Sequence, residues 1–332
     1  MKLNILDLSF NHIDTVSEKQ FQYLEELKIF LLVNNSLSEM PNVRLNLLRE
    51  LDVSGNPIEE LTKESFLGYP RLEKLNLRNL NRTRSVEKDC LRVLKYLKYL
   101  RIQTWPQADG FHLRHLLTGL PLRTVEIQIT EHLLKDQIQN AFTKQLRELT
   151  ITGSDLEVIS SEAFSTIEGG ELILRIKDTR VRRLQSDIFL SLTKRLSQLT
   201  LDLRNNHINE LSPSVIYGNL SWETVGTNMV AGGLQVSGNP LECDCEIAWL
   251  SLWLRRWLRE SRQIHTASQS DARQLRTIAG RAVCTETTPS YSSDKVLLTL
   301  GTPHTACQAS ALSSGNYERL ATAWLALAEF FI

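Results

Sequence analysis

The sequence predicts an α/β solenoid in which short parallel strands, one from each turn of the chain, stack into a single curved sheet. Three observations support this prediction. Leucine accounts for 57 of the 332 residues, one template of apolar positions recurs every 21 to 33 residues, and four cysteines lie beyond its last copy. A recurring template is typical of a solenoid, because a single turn cannot bury its own apolar edge and its neighbours must cover it.

The template is LxxLxLxxNxL, and its first copy is Leu3–Ile13, LNILDLSFNHI. Ten copies occur, with the Asn-equivalent position at 11, 35, 56, 80, 105, 130, 154, 179, 206 and 239. Alternate side chains of a strand point to opposite faces, so the LxL core predicts a strand with a buried apolar face. Where a true Asn is present, we expect its amide to bond backbone groups as the chain leaves the strand. We identify these copies as leucine-rich repeats and assign them residues 1–240.

A second apolar position confirms the register of the repeats. Ten residues after the Asn position, six of the first nine copies carry an aromatic or aliphatic residue: Phe21, Leu45, Phe66, Phe164, Phe189 and Ile216. We expect these side chains to form a buried spine. Cys90 occupies the same position in the fourth copy. It is therefore expected to be a buried free thiol, and the alternative is a reactive or intermolecular cysteine.

The segment after the last repeat reads GNPLECDCEIAWLSLWLRRWL and contains a CxC pair, with two more cysteines further on. Spacing alone leaves three disulfide pairings open. A zinc site built from the same four cysteines is the alternative, although CxC is not the C-x2-4-C spacing of common zinc knuckles. Trp249, Trp253 and Trp257 recur every four residues on one side of a predicted helix. We expect this helix to seal the last repeat, and the alternative is a helix that binds a membrane or a partner.

The run NPLECDC with its following Trp-containing helix resembles the C-terminal cysteine-rich cap of extracellular leucine-rich repeat proteins. The resemblance covers residues 238–307, and we assign the cap to 241–308. It implies two disulfides, Cys243–Cys284 and Cys245–Cys307. Disulfides form in oxidising compartments, so the resemblance also implies the extracellular face of the plasma membrane.

Three sequons fit an extracellular location. They begin at Asn34, Asn81 and Asn219, and each is a candidate N-glycosylation site. Asn34 directly precedes the Asn position of the second repeat, where a glycan would crowd the sheet. The other two lie in longer turns and are better candidates.

The ends of the sequence suggest part of a longer protein. Met1 and Lys2 lead directly into the first repeat, with neither a secretory signal nor an N-terminal cysteine cap. We therefore expect this chain to be the C-terminal portion of a secreted protein. Residues 309–332 combine small residues, a short polar step and an apolar end, which resembles a glycosylphosphatidylinositol attachment signal. A truncated transmembrane segment and a helix packed on the cap are the alternatives.

Composition and motifs argue against several function classes. The 38 Lys and Arg residues balance the 38 Asp and Glu residues, so no global charge favours nucleic acid or an anionic membrane. The sequence contains no GxGxxG, Walker, HExxH or GxSxG motif. We therefore expect no enzymatic activity, no cofactor and no metal site.

The side chains that flank the second strand leucine are the candidate partner-binding residues, because solenoids of this kind bind through the concave face of the sheet. The candidates are Asp52, Asn76, Arg78, Arg101, Gln103, Glu126, Gln128, Arg175, Lys177, Asp202 and Arg204. Basic residues outnumber acidic ones after the third repeat, which favours a partner with an acidic surface. The alternative is a sheet face that only contacts solvent.

The order of these parts resembles the chaoptin family: repeats run into a CDC-type cap and an anchor-like tail, with no signalling domain. The resemblance implies a lipid-anchored adhesion protein of arthropod photoreceptor membranes that acts through homophilic contacts. The predicted function is thus cell adhesion by binding a protein partner, with a second copy of the chain as one candidate. The alternatives are a fragment of a Toll-type receptor ectodomain and a secreted leucine-rich repeat protein that binds matrix or acts as an inhibitor.

Overall fold

The computed structural model describes residues 3–217, 229, 233–243, 247–264, 277, 279–288 and 291–299. Ten parallel strands form one sheet in chain order, so each turn of the chain adds a strand beside the previous one. The strands are β1 (Ile5–Asp7), β2 (Ile29–Leu31), β3 (Glu50–Asp52), β5 (Lys74–Asn76), β7 (Tyr99–Gln103), β8 (Thr124–Gln128), β10 (Glu148–Gly153), β12 (Glu171–Thr179), β13 (Gln198–Asp202) and β14 (Gly233–Gln235). The prediction of an α/β leucine-rich repeat solenoid is confirmed.

The segments between these strands are short helices, helical turns and pairs of two-residue strands. The strand pairs are β4 (Glu60–Leu61) with β6 (Ser85–Val86), and β9 (Leu133–Leu134) with β11 (Val158–Ile159). The helices are α1 (Glu18–Phe21), α2 (Leu113–Leu117), α3 (Leu190–Arg195) and α4 (Ser214–Tyr217), with 3₁₀ turns at Glu64–Phe66 and Cys90–Val93. None of these elements is long enough to be stable alone, so packing against the neighbouring turn holds each in place.

The first strand leucine of each repeat lies inside the solenoid. From the second strand onward this position is at most 2% exposed, at Phe30, Leu51, Leu75, Leu100, Val125, Leu149, Leu174, Leu201 and Leu234. Burying a side chain of this size stabilises the fold by about 2 kcal/mol, so the row is a major part of the apolar core.

The Asn position links each repeat to the one before it. Asn56 donates from Nδ2 to the carbonyl oxygens of Leu32 and Val53, both at 2.8 Å, and its Oδ1 accepts from the Leu37 backbone N–H at 3.1 Å. Asn35, Asn206 and Asn239 make the same kind of bridge. The expected backbone-bonding role of the Asn residues is confirmed.

Other polar groups replace Asn in the middle repeats. The indole N–H of Trp105 donates to the carbonyl oxygen of Leu80 at 3.0 Å, and the hydroxyl of Thr130 donates to the carbonyl oxygen of Thr104 at 3.1 Å. The bridge between turns therefore survives at these two positions although the amide is absent.

The predicted spine is buried, with every one of its six residues at most 8% exposed. The rings of Phe164 and Phe189 stack with their centroids 6.0 Å apart. Cys90 is a buried free cysteine, as predicted. Burial, with a smaller contribution from the nearby Glu87 carboxylate, raises the pKa of its thiol to about 12.

The cap consists of helix α5 (Ala248–Ile264) and the antiparallel pair β15 (Val283–Thr288) and β16 (Tyr291–Val296), followed by a 3₁₀ turn at Leu297–Thr299. A disulfide joins Cys243 to Cys284, which is the first pairing that the resemblance implies. Cys245 and Cys307, which it also pairs, lie outside the described residues, as does the predicted anchor segment 309–332.

Helix α5 seals the last turn of the solenoid. Trp253 and Trp257 are each 1% exposed and stack with their centroids 6.0 Å apart. The indole N–H of Trp249 donates to the carbonyl oxygen of Leu211 at 2.8 Å. The sealing role predicted for the tryptophans is confirmed. Across the described residues, every helix falls short of the length and apolarity needed to cross a membrane.

Candidate partner-binding face

One outward-facing residue from each of the ten strands lies in register with the next, and we call this line the outward row. Its members are Asp7, Leu31, Asp52, Asn76, Arg101, Glu126, Thr150, Arg175, Asp202 and Gln235. Since neighbouring strands lie about 4.8 Å apart, the row extends over about 43 Å. The sheet thus presents one continuous face that contains many of the candidate residues.

A second line runs two residues further along the strands. In it Gln128 lies in register with Gln103 on one side and with Thr152 on the other. The register then shifts in β12, where Asp178 adopts a left-handed backbone with φ of +57°. Lys177 lies at this irregularity, so it does not continue the line as the sequence spacing suggests.

Two of the candidate side chains on this face are buried and hydrogen-bonded within the protein. Asn76 is 8% exposed; its Nδ2 donates to Asp52 Oδ2 at 2.8 Å, and its Oδ1 accepts from the Arg78 backbone N–H at 3.2 Å. Gln103 is 1% exposed, and its Oε1 accepts from the Leu80 backbone N–H at 3.2 Å. Burial and these bonds leave both amides little free surface for a partner.

Asp52 also closes a turn at the end of its own strand. Its Oδ1 accepts from the backbone N–H of Ser54 at 2.9 Å and from the Ser54 hydroxyl at 2.6 Å. Asp7 bonds the backbone N–H of Ser9 in the same way at 3.0 Å. Short polar side chains often cap turns like this, so these aspartates have a structural role whatever they contact outside.

A first ion cluster lies at the middle of the face, around Glu126. Its Oε1 is 2.7 Å from Arg78 Nη1, and its Oε2 is 3.2 Å from Arg101 Nε. The Glu126 side chain is only 14% exposed, whereas that of Arg101 is 57% exposed. One largely buried carboxylate therefore offsets two arginines, and Arg101 remains the accessible member of the cluster.

A second ion cluster lies near the end of the sheet, around Asp202. Arg204 donates to both of its carboxylate oxygens, at 2.7 and 2.8 Å, and Arg175 Nε lies 3.6 Å away. Arg175 also pairs with Glu148. Burial alone would raise the pKa of Asp202, but the bonds and charge of Arg204, helped by Arg175, outweigh it and lower that pKa below its usual value.

These clusters change the prediction of a basic face. Four of the five basic candidates on the face, all except Lys177, pair with Glu126, Glu148 or Asp202. Glu148 was not among the candidates because it flanks the first strand leucine rather than the second. The ion pairs within the face thus cancel most of the positive charge that favoured an acidic partner.

The sequence reasoning also missed an apolar patch at the beginning of the face, formed by Ile5, Ile29, Leu31 and Val33. Ile5 is 56% exposed, and the other three are half-buried. Ile5 lies in register with Ile29 on the neighbouring strand. The signal was present in the sequence, since the outward positions of the second repeat are all apolar.

Two of the three sequons fall in the described part of the chain. The side chains of Asn34 and Asn81 are exposed, whereas Asn219 lies outside the described residues. Within the described ranges, no three His, Cys, Asp or Glu side chains lie together as they would to hold a metal ion.

Comparison with known proteins agrees with this architecture. Residues 1–58 match the leucine rich repeat family model, in agreement with the solenoid of stacked parallel strands. Its fold is similar to that of human 5T4 (trophoblast glycoprotein), with a TM-score of 0.52 at 16% identity over 90% of this chain and 92% of that one.

The sequence resembles chaoptin. It is 26% identical to chaoptin of Tribolium castaneum over 263 residues, which is 76% of this chain and 32% of that protein. It is also 34% identical to Toll-like receptor 4 of Rattus norvegicus over 117 residues, 35% of this chain and 10% of the receptor. The chain therefore spans about a third or less of the length of these relatives.

Proposed function

We propose that this chain is a protein-binding module of a cell-adhesion protein, and that its partner contacts the outward face of the sheet. The observation that carries the proposal is the outward row, which aligns ten side chains into one surface beside the apolar patch. The resemblance to chaoptin supports adhesion and makes a second copy of the same protein the first candidate partner.

The apolar patch supports a protein partner rather than a small ligand. Protein interfaces gain most of their binding energy from a few apolar or aromatic side chains surrounded by polar groups. Exposed apolar clusters are uncommon on soluble proteins and often mark such interfaces. Ile5 and Ile29 provide the apolar centre, and the polar groups of Asp52 and Arg101 lie further along the same sheet.

The two ion clusters define what kind of partner fits. The arginines around Glu126 and Asp202 are already paired, so an acidic partner would have to displace a carboxylate that the fold supplies. A partner surface that carries both acidic and basic groups can instead pair with both the arginines and the carboxylates of this face. A second copy of this chain, with its own balanced charges, satisfies that condition.

The proposed location is the extracellular face of the plasma membrane. The Cys243–Cys284 disulfide and the sequons at Asn34 and Asn81 support an oxidising, secretory compartment. The lipid anchor predicted from residues 309–332 is part of the same proposal.

Cell mixing tests adhesion. Cells that express the full-length parent are mixed with labelled cells that do not, and the composition of the aggregates is counted. Homophilic adhesion predicts aggregates of expressing cells alone. Leu31→Asp, which charges the apolar patch, should abolish them, while the matched change Leu133→Asp in the short strand β9 should not, because Leu133 is 42% exposed and lies off the face. Equal mixing of the two cell types, or normal aggregation by L31D, would show the proposal to be wrong.

A phospholipase experiment tests the anchor. Treating the same cells with a phosphatidylinositol-specific phospholipase should release the protein into the medium. Retention on the membrane contradicts a lipid anchor and leaves adhesion itself untouched. Appearance in the medium before treatment would instead favour a secreted matrix-binding or inhibitory protein.

A Toll-type receptor ectodomain is the second candidate function, and the 34% identical stretch of Toll-like receptor 4 favours it. That function predicts no aggregation of expressing cells and no release by the phospholipase. The two experiments together therefore separate the candidates.

A further inference from the structure

We infer that the edge of the sheet at which the strands begin binds a sulfated polysaccharide. The residues just before six successive strands, β2, β3, β5, β7, β8 and β10, form a line of mostly basic side chains, which we call the basic edge: Lys28, Arg49, Glu73, Lys98, Arg123 and Arg147. This line is separate from the outward row, and its ligand differs in chemical class from the proposed protein partner.

The backbone fixes the spacing of the basic edge. The N–H of Arg49 donates to the Lys28 carbonyl oxygen at 2.8 Å, that of Arg123 to the Lys98 carbonyl oxygen at 2.8 Å, and that of Arg147 to the Arg123 carbonyl oxygen at 2.8 Å. Glu73 is linked in the same way to Arg49 before it and to Lys98 after it, at 2.9 Å each. The charges therefore stand on successive turns about 4.8 Å apart and extend over about 24 Å.

Positive charge remains in excess along the basic edge. Glu73 lies between Arg49 and Lys98, 3.1 and 3.2 Å from their nitrogens, and is its only carboxylate. Lys28, Arg123 and Arg147 are exposed, and the ion pairs found in the described residues include none from these three.

Acidic residues of the neighbouring line do not neutralise the edge. Glu50 is 3.2 Å from Lys74, and Glu148 pairs with Arg175 on the outward row. The two lines thus differ, since the charges of the sheet face cancel one another while those of its edge do not.

The basic edge leads into a cleft of about 270 Å³ lined by Lys144, Glu168, Gly169, Gly170 and Arg195. The guanidinium of Arg147 lies 4.0 Å from the position that a Cβ on Gly170 would take, so it borders this cleft. Glu168 is shared between Lys144 at 3.4 Å and Arg195 at 3.9 Å, which leaves one positive charge in excess. Two glycines leave room for a bulky group such as a sulfate beside these cations.

The pattern favours a regular polyanion over other acidic partners. A sulfated polysaccharide carries anionic groups at regular intervals along a line, which matches cations repeated on successive turns. A folded acidic protein needs apolar anchors, and the basic edge has none. This inference rests on the extracellular location proposed above, which the Cys243–Cys284 disulfide supports and where nucleic acids are scarce and sulfated polysaccharides occur.

The test measures binding of the disulfide-intact chain to a heparin octasaccharide by calorimetry, at several salt concentrations. We expect Arg123→Glu with Arg147→Glu to weaken binding at least about tenfold. The salt dependence should also fall by about two released ions, because each lost contact releases one ion fewer. The control is Arg82→Glu with Arg84→Glu, which changes the net charge equally at exposed residues outside the edge and should bind normally.

Several outcomes would overturn the inference. Unchanged binding by R123E/R147E would do so, as would an equal loss in the control, which would mean a response to net charge alone. Equal affinity for unsulfated hyaluronan, or binding to phosphatidylserine vesicles but not to heparin, would show the ligand class to be wrong.

Thermal unfolding of each variant verifies folding. Lys28→Glu, at the other end of the basic edge, should give a smaller loss of heparin affinity. Because the outward face is unaltered, cell aggregation by R123E/R147E tests the adhesion proposal independently.

Discussion

The indole ring of Trp257 in helix α5 lies directly against Gly233, the first residue of the last strand of the sheet. A Cβ on Gly233 would be 2.5 Å from Cζ2 and 2.7 Å from Cε2 of that ring. Gly233 also has a φ of +83°, which side chains other than glycine rarely adopt. The end of the solenoid is thus closed by an aromatic ring that packs on bare backbone.

Gly233→Ala should therefore destabilise the whole chain. The left-handed backbone costs about 1–2 kcal/mol and the contact with the ring about 1–3 kcal/mol more, so the free energy of unfolding should fall by about 2–5 kcal/mol. Gly119→Ala is the matched control, because Gly119 has a φ of +82° but nothing within 4 Å of its added Cβ. Urea denaturation measures both variants. Equal losses would mean that backbone strain, and not the Trp257 contact, accounts for the effect.

Most of this fold can be predicted from the sequence alone, because the spacing of the repeat determines where its elements lie. The strand positions, the spine, Cys90 and the sealing helix all follow from a period that only stacked turns can satisfy. The contact of Trp257 with Gly233 could not be predicted in the same way. It joins the cap helix to a strand, and the position of Trp257 on that helix does not specify which backbone it will meet.

Asn56→Ala tests the bridges between repeats. The substitution leaves two buried carbonyl oxygens and one N–H with one partner fewer each, so the free energy of unfolding should fall by about 2–4 kcal/mol. Asn11→Ala is the control. Asn11 has the same place in the first repeat, but its amide is exposed and bonds only carbonyl oxygens of its own turn, so the loss should be below about 1 kcal/mol. Comparable losses in the two denaturation curves would contradict a role in joining the turns.

Cys90 should be unreactive until the chain unfolds. With a pKa of about 12, roughly 1 thiol in 10,000 is ionised at pH 8, and burial keeps reagents away from it. Treatment of the folded chain with iodoacetamide, followed by mass analysis of the Cys90 peptide, should show no label. The same peptide should be labelled in urea. Labelling of the folded chain would instead favour the reactive or intermolecular cysteine that the sequence left as an alternative.

The candidate face was less predictable than the fold. Periodicity places Arg101 and Asp202 on the outward row, and the register confirms that placement. Periodicity does not show which charges pair, because Arg78 reaches Glu126 across 48 positions of sequence and Glu148, the partner of Arg175, flanks the first strand leucine. Partial burial of Glu126 and full burial of Gln103 depend on such side-chain packing, so only the structure shows which candidates remain accessible.

Asp202 should make the stability of the chain sensitive to acid. Because its pKa is lowered in the folded state, the ionised carboxylate stabilises the fold above the unfolded pKa near 4, and this contribution is lost as the pH falls through the lower folded value. Asp202→Asn should thus lower the free energy of unfolding by about 1–2 kcal/mol at pH 7, with the difference from the wild type narrowing below pH 4. Asp155→Asn is the control, since its pair with Arg180 is half-exposed and 3.5 Å apart, and it should change the free energy of unfolding little. The measurement is the free energy of unfolding of the wild type and of each variant from pH 7 to pH 3. If the difference between the wild type and D202N stays constant over this range, ionisation of Asp202 is not linked to folding.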